Sequence, residues 1–140
     1  MIVLDTTLLL YAVGAHHRLR EPARSVIDAI GAGRLAATTT PEVIQEFTLV
    51  RTRRHGRRDA VGLARDLTVL LTPLTPVTAD DLRSGLGLFE RHEGIGCFDA
   101  VLAAVARRVA APVVSGDSAL VAALGDDAID LGGPALAALT

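Results

Sequence analysis

The chain opens on an apolar run, Met1-Ile2-Val3-Leu4, that stops at Asp5-Thr6-Thr7. A β-forming run ended by an acid and two hydroxyls predicts a buried strand handing over to a helix start. Thr6 or Thr7 caps a short helix predicted to run through Val13, with Gly14 as its stop. A second helix is predicted from about Arg20 to Ala32, with Val26, Ile27 and Ile30 on one face and Gly31 and Gly33 at its end. Leu35 to Thr38 then reads as a short strand. Thr39-Thr40-Pro41-Glu42 combines a cap hydroxyl, an early proline and an early acid, and predicts a third helix to about Arg54. Gly56 breaks the pattern before a fourth helix, about Arg58 to Leu71, so the two form a hairpin with arginines at its tip.

Farther along, Leu74 to Val77 reads as a strand kept short or peripheral by Pro73 and Pro76. Thr78, Asp80 and Asp81 start a helix to about His92, Gly94-Ile95-Gly96 is a loop, and Cys97 or Phe98 opens a helix to Val109. Val113-Val114-Ser115 is a strand ending in Gly116-Asp117. A helix over 118–124 and a strand near Ile129 to Leu131 follow. Strands alternating with helices predict an α/β fold with a parallel sheet covered on both faces. No internal repeat or linker interrupts it, and 140 residues suffice for one domain, residues 1–140, around a single core.

Composition sharpens this picture. Aromatic residues are 3% of the chain against 50% hydrophobic overall, so the core must be built from Ala, Val, Leu and Ile. The 14 basic and 16 acidic residues give a net charge of −2, against a general nucleic-acid binder. The basic residues are all arginine and are unevenly spread, with Arg51, Arg53, Arg54, Arg57 and Arg58 in one cluster. That cluster is either a solvated hairpin tip or a grip for phosphates. One cysteine, Cys97, excludes an internal disulfide and reads as a small buried apolar residue. Neither a signal peptide nor an apolar run of membrane-spanning length is evident, so a cytoplasmic location is expected.

The chemistry is carried by acids where a core does not want them. Asp5 and Asp117 end apolar strands, Glu46 shares a helix side with Val43 and Val50, and Asp99 shares one with Leu102, Ala103 and Ala106. Each acid alone has a structural reading, as a helix cap, a first-turn acid or half of an ion pair. Four acids on four elements of one sheet, however, can meet in a single crevice, where they would raise one another's pKa values unless a cation neutralised them. Oxygen-only donors point to Mg²⁺ or Mn²⁺. Thr7 and Ser115 stand beside the strand-end acids and are placed to orient them. His16, His17, His55 and His92 are scattered and read as surface residues, which argues against zinc.

Asp5-Thr6-Thr7 after a strand, Gln45-Glu46-Phe47 followed by arginines, Phe98-Asp99-Ala100 opening a helix and Ser115-Gly116-Asp117 after a strand together resemble the PIN domain. More narrowly, the chain resembles the VapC-type toxins of bacterial toxin–antitoxin pairs. The resemblance implies a three-layer α/β/α PIN-like domain with a short central parallel sheet and Mg²⁺- or Mn²⁺-dependent endoribonuclease activity. It implies a catalytic quartet of Asp5, Glu46, Asp99 and Asp117, with Asp5, Asp99 and Asp117 as metal ligands and Thr7 and Ser115 in support. Glu42 competes with Glu46 from one turn earlier; the Gln-Glu-Phe context favours Glu46. A homodimer and a VapB-like antitoxin are implied as partners, and RNA as substrate, with Arg51, Arg53, Arg54, Arg57 and Arg58 positioning its backbone. The alternative is a non-catalytic PIN-like module that only binds RNA or protein. A phosphoacceptor receiver domain needs a strand-end lysine, which this chain lacks, and a haloacid-dehalogenase-type phosphatase needs an acid where Thr7 stands.

Overall fold

A computed structural model describes all 140 residues. Four strands form one sheet: β1 (Ile2–Leu4), β2 (Ala37–Thr38), β3 (Val113–Ser115) and β4 (Ala128–Asp130), in the order β2-β1-β3-β4. All three pairings are parallel, with Val3 opposite Thr38 on one side and Val113 on the other, and Val114 opposite Ile129. β1 is therefore central, which is why its three residues are all apolar and all buried. The carboxyl ends of all four strands lie along one edge. From β1 the chain crosses to β2 on one side, whereas β3 leads to β4 on the other. The crevice between the ends of β1 and β3 is thus the topological switch point, where open parallel sheets bind ligands.

Helices α1 (Thr6–Val13), α2 (Arg20–Gly31), α3 (Pro41–His55), α4 (Arg57–Leu70), α5 (Ala79–Arg91), α6 (Cys97–Arg108), α7 (Ser118–Leu124) and α8 (Pro134–Ala137) pack around the sheet. The core is a cluster of 28 buried residues dominated by aliphatic side chains and alanines, with Phe47 of α3 its one phenylalanine. Removing that ring is expected to cost about 3–5 kcal/mol. Small residues let α5 and α6 approach closely: a Cβ added at Gly85 would lie 2.7 Å from the Cα of Val101. Gly56, at φ 86°, supplies the left-handed turn that reverses α3 into α4, a conformation a side chain would strain.

Three expectations need correction. Leu74 to Val77 is not a strand; it is an extended link, attached through the Thr75 N–H to the Thr39 carbonyl at 2.9 Å. Pro73 and Pro76 remove two of the donors a ladder would need. The strand expected over 35–38 shrinks to two residues, and a short helix, α8, follows Gly132-Gly133 with proline at its first position. Finally, α1 is capped by Asp5, not by Thr6 or Thr7.

Candidate active site

Asp5 is 3% exposed at the end of β1 and receives three hydrogen bonds. The Thr7 backbone N–H donates to Oδ1 at 3.2 Å, the Thr7 hydroxyl donates to Oδ2 at 2.8 Å, and the Ser115 hydroxyl also donates to Oδ2. Ser115 in turn accepts the Asp117 N–H at 2.9 Å, and Thr7 Oγ1 accepts the Gly116 N–H at the same distance. Adjacent strands β1 and β3 are thereby stitched at their carboxyl ends by two hydroxyls. Burial raises the Asp5 pKa, the bonds from Ser115 and Thr7 oppose that rise, and the charge of Glu46 adds to it.

Glu46 projects from α3 and accepts the Thr6 hydroxyl at 2.5 Å. Thr6 is the functional neighbour that sequence reasoning missed; its only signal was a second hydroxyl beside Asp5, and nothing in the sequence separated its role from that of Thr7. Asp99 sits in the first turn of α6. Desolvation, followed by the charges of Asp5, Glu46 and Asp117, pushes its carboxyl up to about 6. Asp117 caps α7, its Oδ1 accepting the Ala119 and Leu120 N–H groups at 2.8 and 3.3 Å. Asp5 and Asp117 thus each cap a helix while carrying charge that bears on Asp99.

Asp5, Glu46 and Asp99 line a groove of about 430 Å³ whose other walls include Thr6, Val43, Val77, Leu82, Phe98 and Val101. Asp117 stands near enough for its charge to bear on Asp99. Glu42 lines the same groove, and its Oε2 is buried without a hydrogen-bond donor, but its charge bears on neither Asp5 nor Asp99. Cys97 is not a core residue; it is half-buried on the groove wall.

The donor set fits a hard divalent cation. Its members are all carboxylates and hydroxyls, and the four ion pairs of the protein lie elsewhere, so no arginine neutralises the cluster. No three acidic, imidazole or thiol groups are drawn together into a closed cage. That openness suits an ion such as Mg²⁺, which keeps several waters and is held by few carboxylates.

The arginine cluster is divided by the fold. Arg51 turns inward, its side chain 12% exposed, with Nε 2.5 Å from Asp59 and Nη1 donating to the Val13 carbonyl at 3.3 Å. It fastens α3 to α4 and α1, which leaves it poorly placed to meet RNA. Arg53, Arg54, Arg57 and Arg58 are exposed and form no ion pair.

Comparison with known proteins identifies the relatives of this chain. A family profile described as the PIN domain matches residues 2–124. Ribonuclease VapC7 of Mycobacterium tuberculosis is 50% identical over 121 residues, covering 85% of this chain and 83% of that protein. Ribonuclease VapC23 of the same species is 34% identical over 108 residues, covering 77% and 85%. Among solved structures, M. tuberculosis VapC20, described as a sarcin–ricin-loop-cleaving toxin, superposes with a TM-score of 0.71 at 23% identity, over 88% of this chain and 95% of that one.

Proposed function

The chain belongs to the PIN-domain family, among its VapC-type ribonucleases, and from that premise we propose that it is a single-domain endoribonuclease toxin using Mg²⁺ or Mn²⁺ at Asp5, Glu46, Asp99 and Asp117. The observation that carries this reading is the convergence of four carboxylates, uncompensated by any cationic side chain, at the switch point of a parallel sheet. Asp5, Asp99 and Asp117 would hold the cation. When bound, it supplies charge neutralisation at the phosphate and a water of lowered pKa.

The chain's own residues do the rest. Thr7 and Ser115 fix the position of Asp5 and favour its ionised form against the effect of burial. Thr6 fixes Glu46, which faces the attacking water as proton acceptor. Water oxygen bonds to phosphorus, the P–O3′ bond breaks, and the proton passes by way of a carboxylate to the leaving 3′ oxygen, so the products carry a 5′-phosphate and a 3′-hydroxyl. With RNA seated, the apolar walls Val77, Leu82 and Phe98 lower the local dielectric and sharpen these electrostatic interactions.

Partners follow from the surface. Leu82, Leu86 and Phe89 form an i, i+4, i+7 stripe on α5, each between 44% and 47% exposed, and Phe98 is 66% exposed beside it. An apolar stripe of this kind supports docking of a second copy and of a VapB-like antitoxin. No helix is long and apolar enough to cross a membrane, in keeping with action on RNA in the cytoplasm. The test is cleavage of total RNA by the purified protein with Mg²⁺ or Mn²⁺, with chelator and Asp99→Asn as controls. Cutting that yields 5′-phosphate ends and vanishes in both controls is expected; cutting that persists in both would remove this site from the reaction.

A further inference from the structure

Thr7, whose hydroxyl holds Asp5 of the first groove, itself lines a different groove. The second, of about 400 Å³, is lined by Thr7, Tyr11, Gly14, His16, His17 and Arg54, with Leu10 and Ala15 between them and no acid among its walls. Its chemistry is opposite to that of the first groove, which carries four acids and no base. Arg54 lies in the last turn of α3, exposed and unpaired. His17 is not a loose surface histidine: its ring stacks on Tyr11, with centroids 4.4 Å apart and planes 16° from parallel. Its Nδ1 accepts the Leu19 N–H at 3.2 Å. An imidazole whose Nδ1 accepts carries its proton on Nε2, so the remaining nitrogen is a donor.

The stack is also anchored to the catalytic loop. A Cβ placed at Gly116 would lie 2.9 Å from Tyr11 Cε2 and 3.4 Å from Thr7 Oγ1, so ring, hydroxyl and loop backbone are in direct contact. The donors of this groove are therefore held at a fixed distance from Asp5 and Asp117. A polyanion cannot lie wholly among carboxylates; the charge that offsets its other phosphates has to stand next to the cleft. Resting on the ribonuclease reading, we infer that this groove is the subsite for a backbone phosphate of RNA flanking the scissile one. The Arg54 guanidinium and the His17 Nε2–H grip that phosphate, with His16 at the rim.

The test measures binding of a short fluorescent single-stranded oligoribonucleotide across a range of salt, in full-length protein carrying Asp99→Asn to stop turnover. Arg54→Gln weakens binding and lowers the slope of log affinity against log salt by about 0.7, the loss of one phosphate contact on a single strand. His17→Phe keeps a ring on Tyr11 but lacks the donor, and weakens binding several-fold without lowering the melting temperature. Arg34→Gln removes the same charge beside the amino end of β2, at the opposite edge of the sheet, and changes neither quantity. In protein with Asp99 restored, Arg54→Gln and His17→Phe raise KM for cleavage more than they lower kcat. An unchanged slope and KM for Arg54→Gln, or an equal loss from Arg34→Gln, overturns the inference while a cutting wild type leaves the nuclease intact. A wild type that does not cut with either metal overturns the ribonuclease reading itself, whatever the slopes.

Discussion

Asp81 and Asp99 occupy the same position, the third residue of a helix, on the neighbouring helices α5 and α6, and the protein treats them in opposite ways. Asp81 closes a capping box with Thr78, accepting its N–H at 2.8 Å, and receives Arg108 Nε at 2.9 and 3.1 Å on its two oxygens. The Arg108 guanidinium beside it, with the Thr78 bonds, holds its carboxyl below the usual range despite burial. Asp99 follows Gly96, a cap residue without a side chain, and faces three further carboxylates with no arginine in pairing distance. A fold that supplies an arginine to one helix-start acid and withholds it from its neighbour separates the two explanations for an acid there. Asp81 serves the helix; Asp99 is kept in an unfavourable state that a bound cation would relieve.

The largest effects should come from breaking the uncompensated set. Asp5→Asn or Asp99→Asn is expected to lower kcat/KM for RNA cleavage at least roughly a hundredfold, as loss of a group acting on the developing charge does, whereas Asp81→Asn leaves it near wild type. Single-turnover assays on one RNA compare the three. Thr7→Val, which removes the hydroxyl joining Asp5 to Gly116, should cost about tenfold in activity or metal affinity, the usual scale for a residue that only orients a ligand. An unchanged Thr7→Val would show that Ser115 alone positions Asp5.

Stability should divide the same two acids with opposite signs. In metal-free protein at neutral pH, Asp99→Asn is expected to stabilise by roughly 1 kcal/mol, since it removes a charge held against its neighbours, an effect that solvent partly screens at a half-buried carboxylate. Asp81→Asn should destabilise by about 1 kcal/mol through loss of the cap and the ion pair. The pH dependence follows from the direction of each shift. Asp99 binds its proton more tightly folded than unfolded, so its contribution weakens stability as pH rises from 3.8 through about 6 and is constant above that. Asp81 binds its proton less tightly when folded, so its stabilisation is present above 3.8 and is lost as pH falls below it. Urea titrations of each variant against wild type across this range read both trends, and a common sign would break the comparison.

Much of this architecture was legible because the signals were local. The strands Ile2–Leu4 and Val113–Ser115 are buried on both faces, so their apolar residues read as strands without alternation, and Thr40-Pro41-Glu42 marks a helix start by cap, proline and acid together. The acids stood out because each interrupts an apolar pattern. What stayed hidden depends on contacts between distant segments. The bond from Thr6 to Glu46 spans forty residues, the inward turn of Arg51 is set by Asp59 on the next helix, and the stack of Tyr11 on His17 depends on how the chain turns after Gly14. Leu74–Val77 misled because its composition suits a strand while its prolines deny it a ladder.

The central claim is that Asp5, Glu46, Asp99 and Asp117 repel one another until a divalent cation joins them. Thermal unfolding of wild type and Asp99→Asn, each with chelator and with Mg²⁺ or Mn²⁺, tests it most directly. The account predicts that Asp99→Asn melts higher than wild type in chelator, and that metal raises the wild-type melting temperature while moving that of the variant little. A variant that melts at or below wild type in chelator, and gains as much from metal as wild type does, would contradict it.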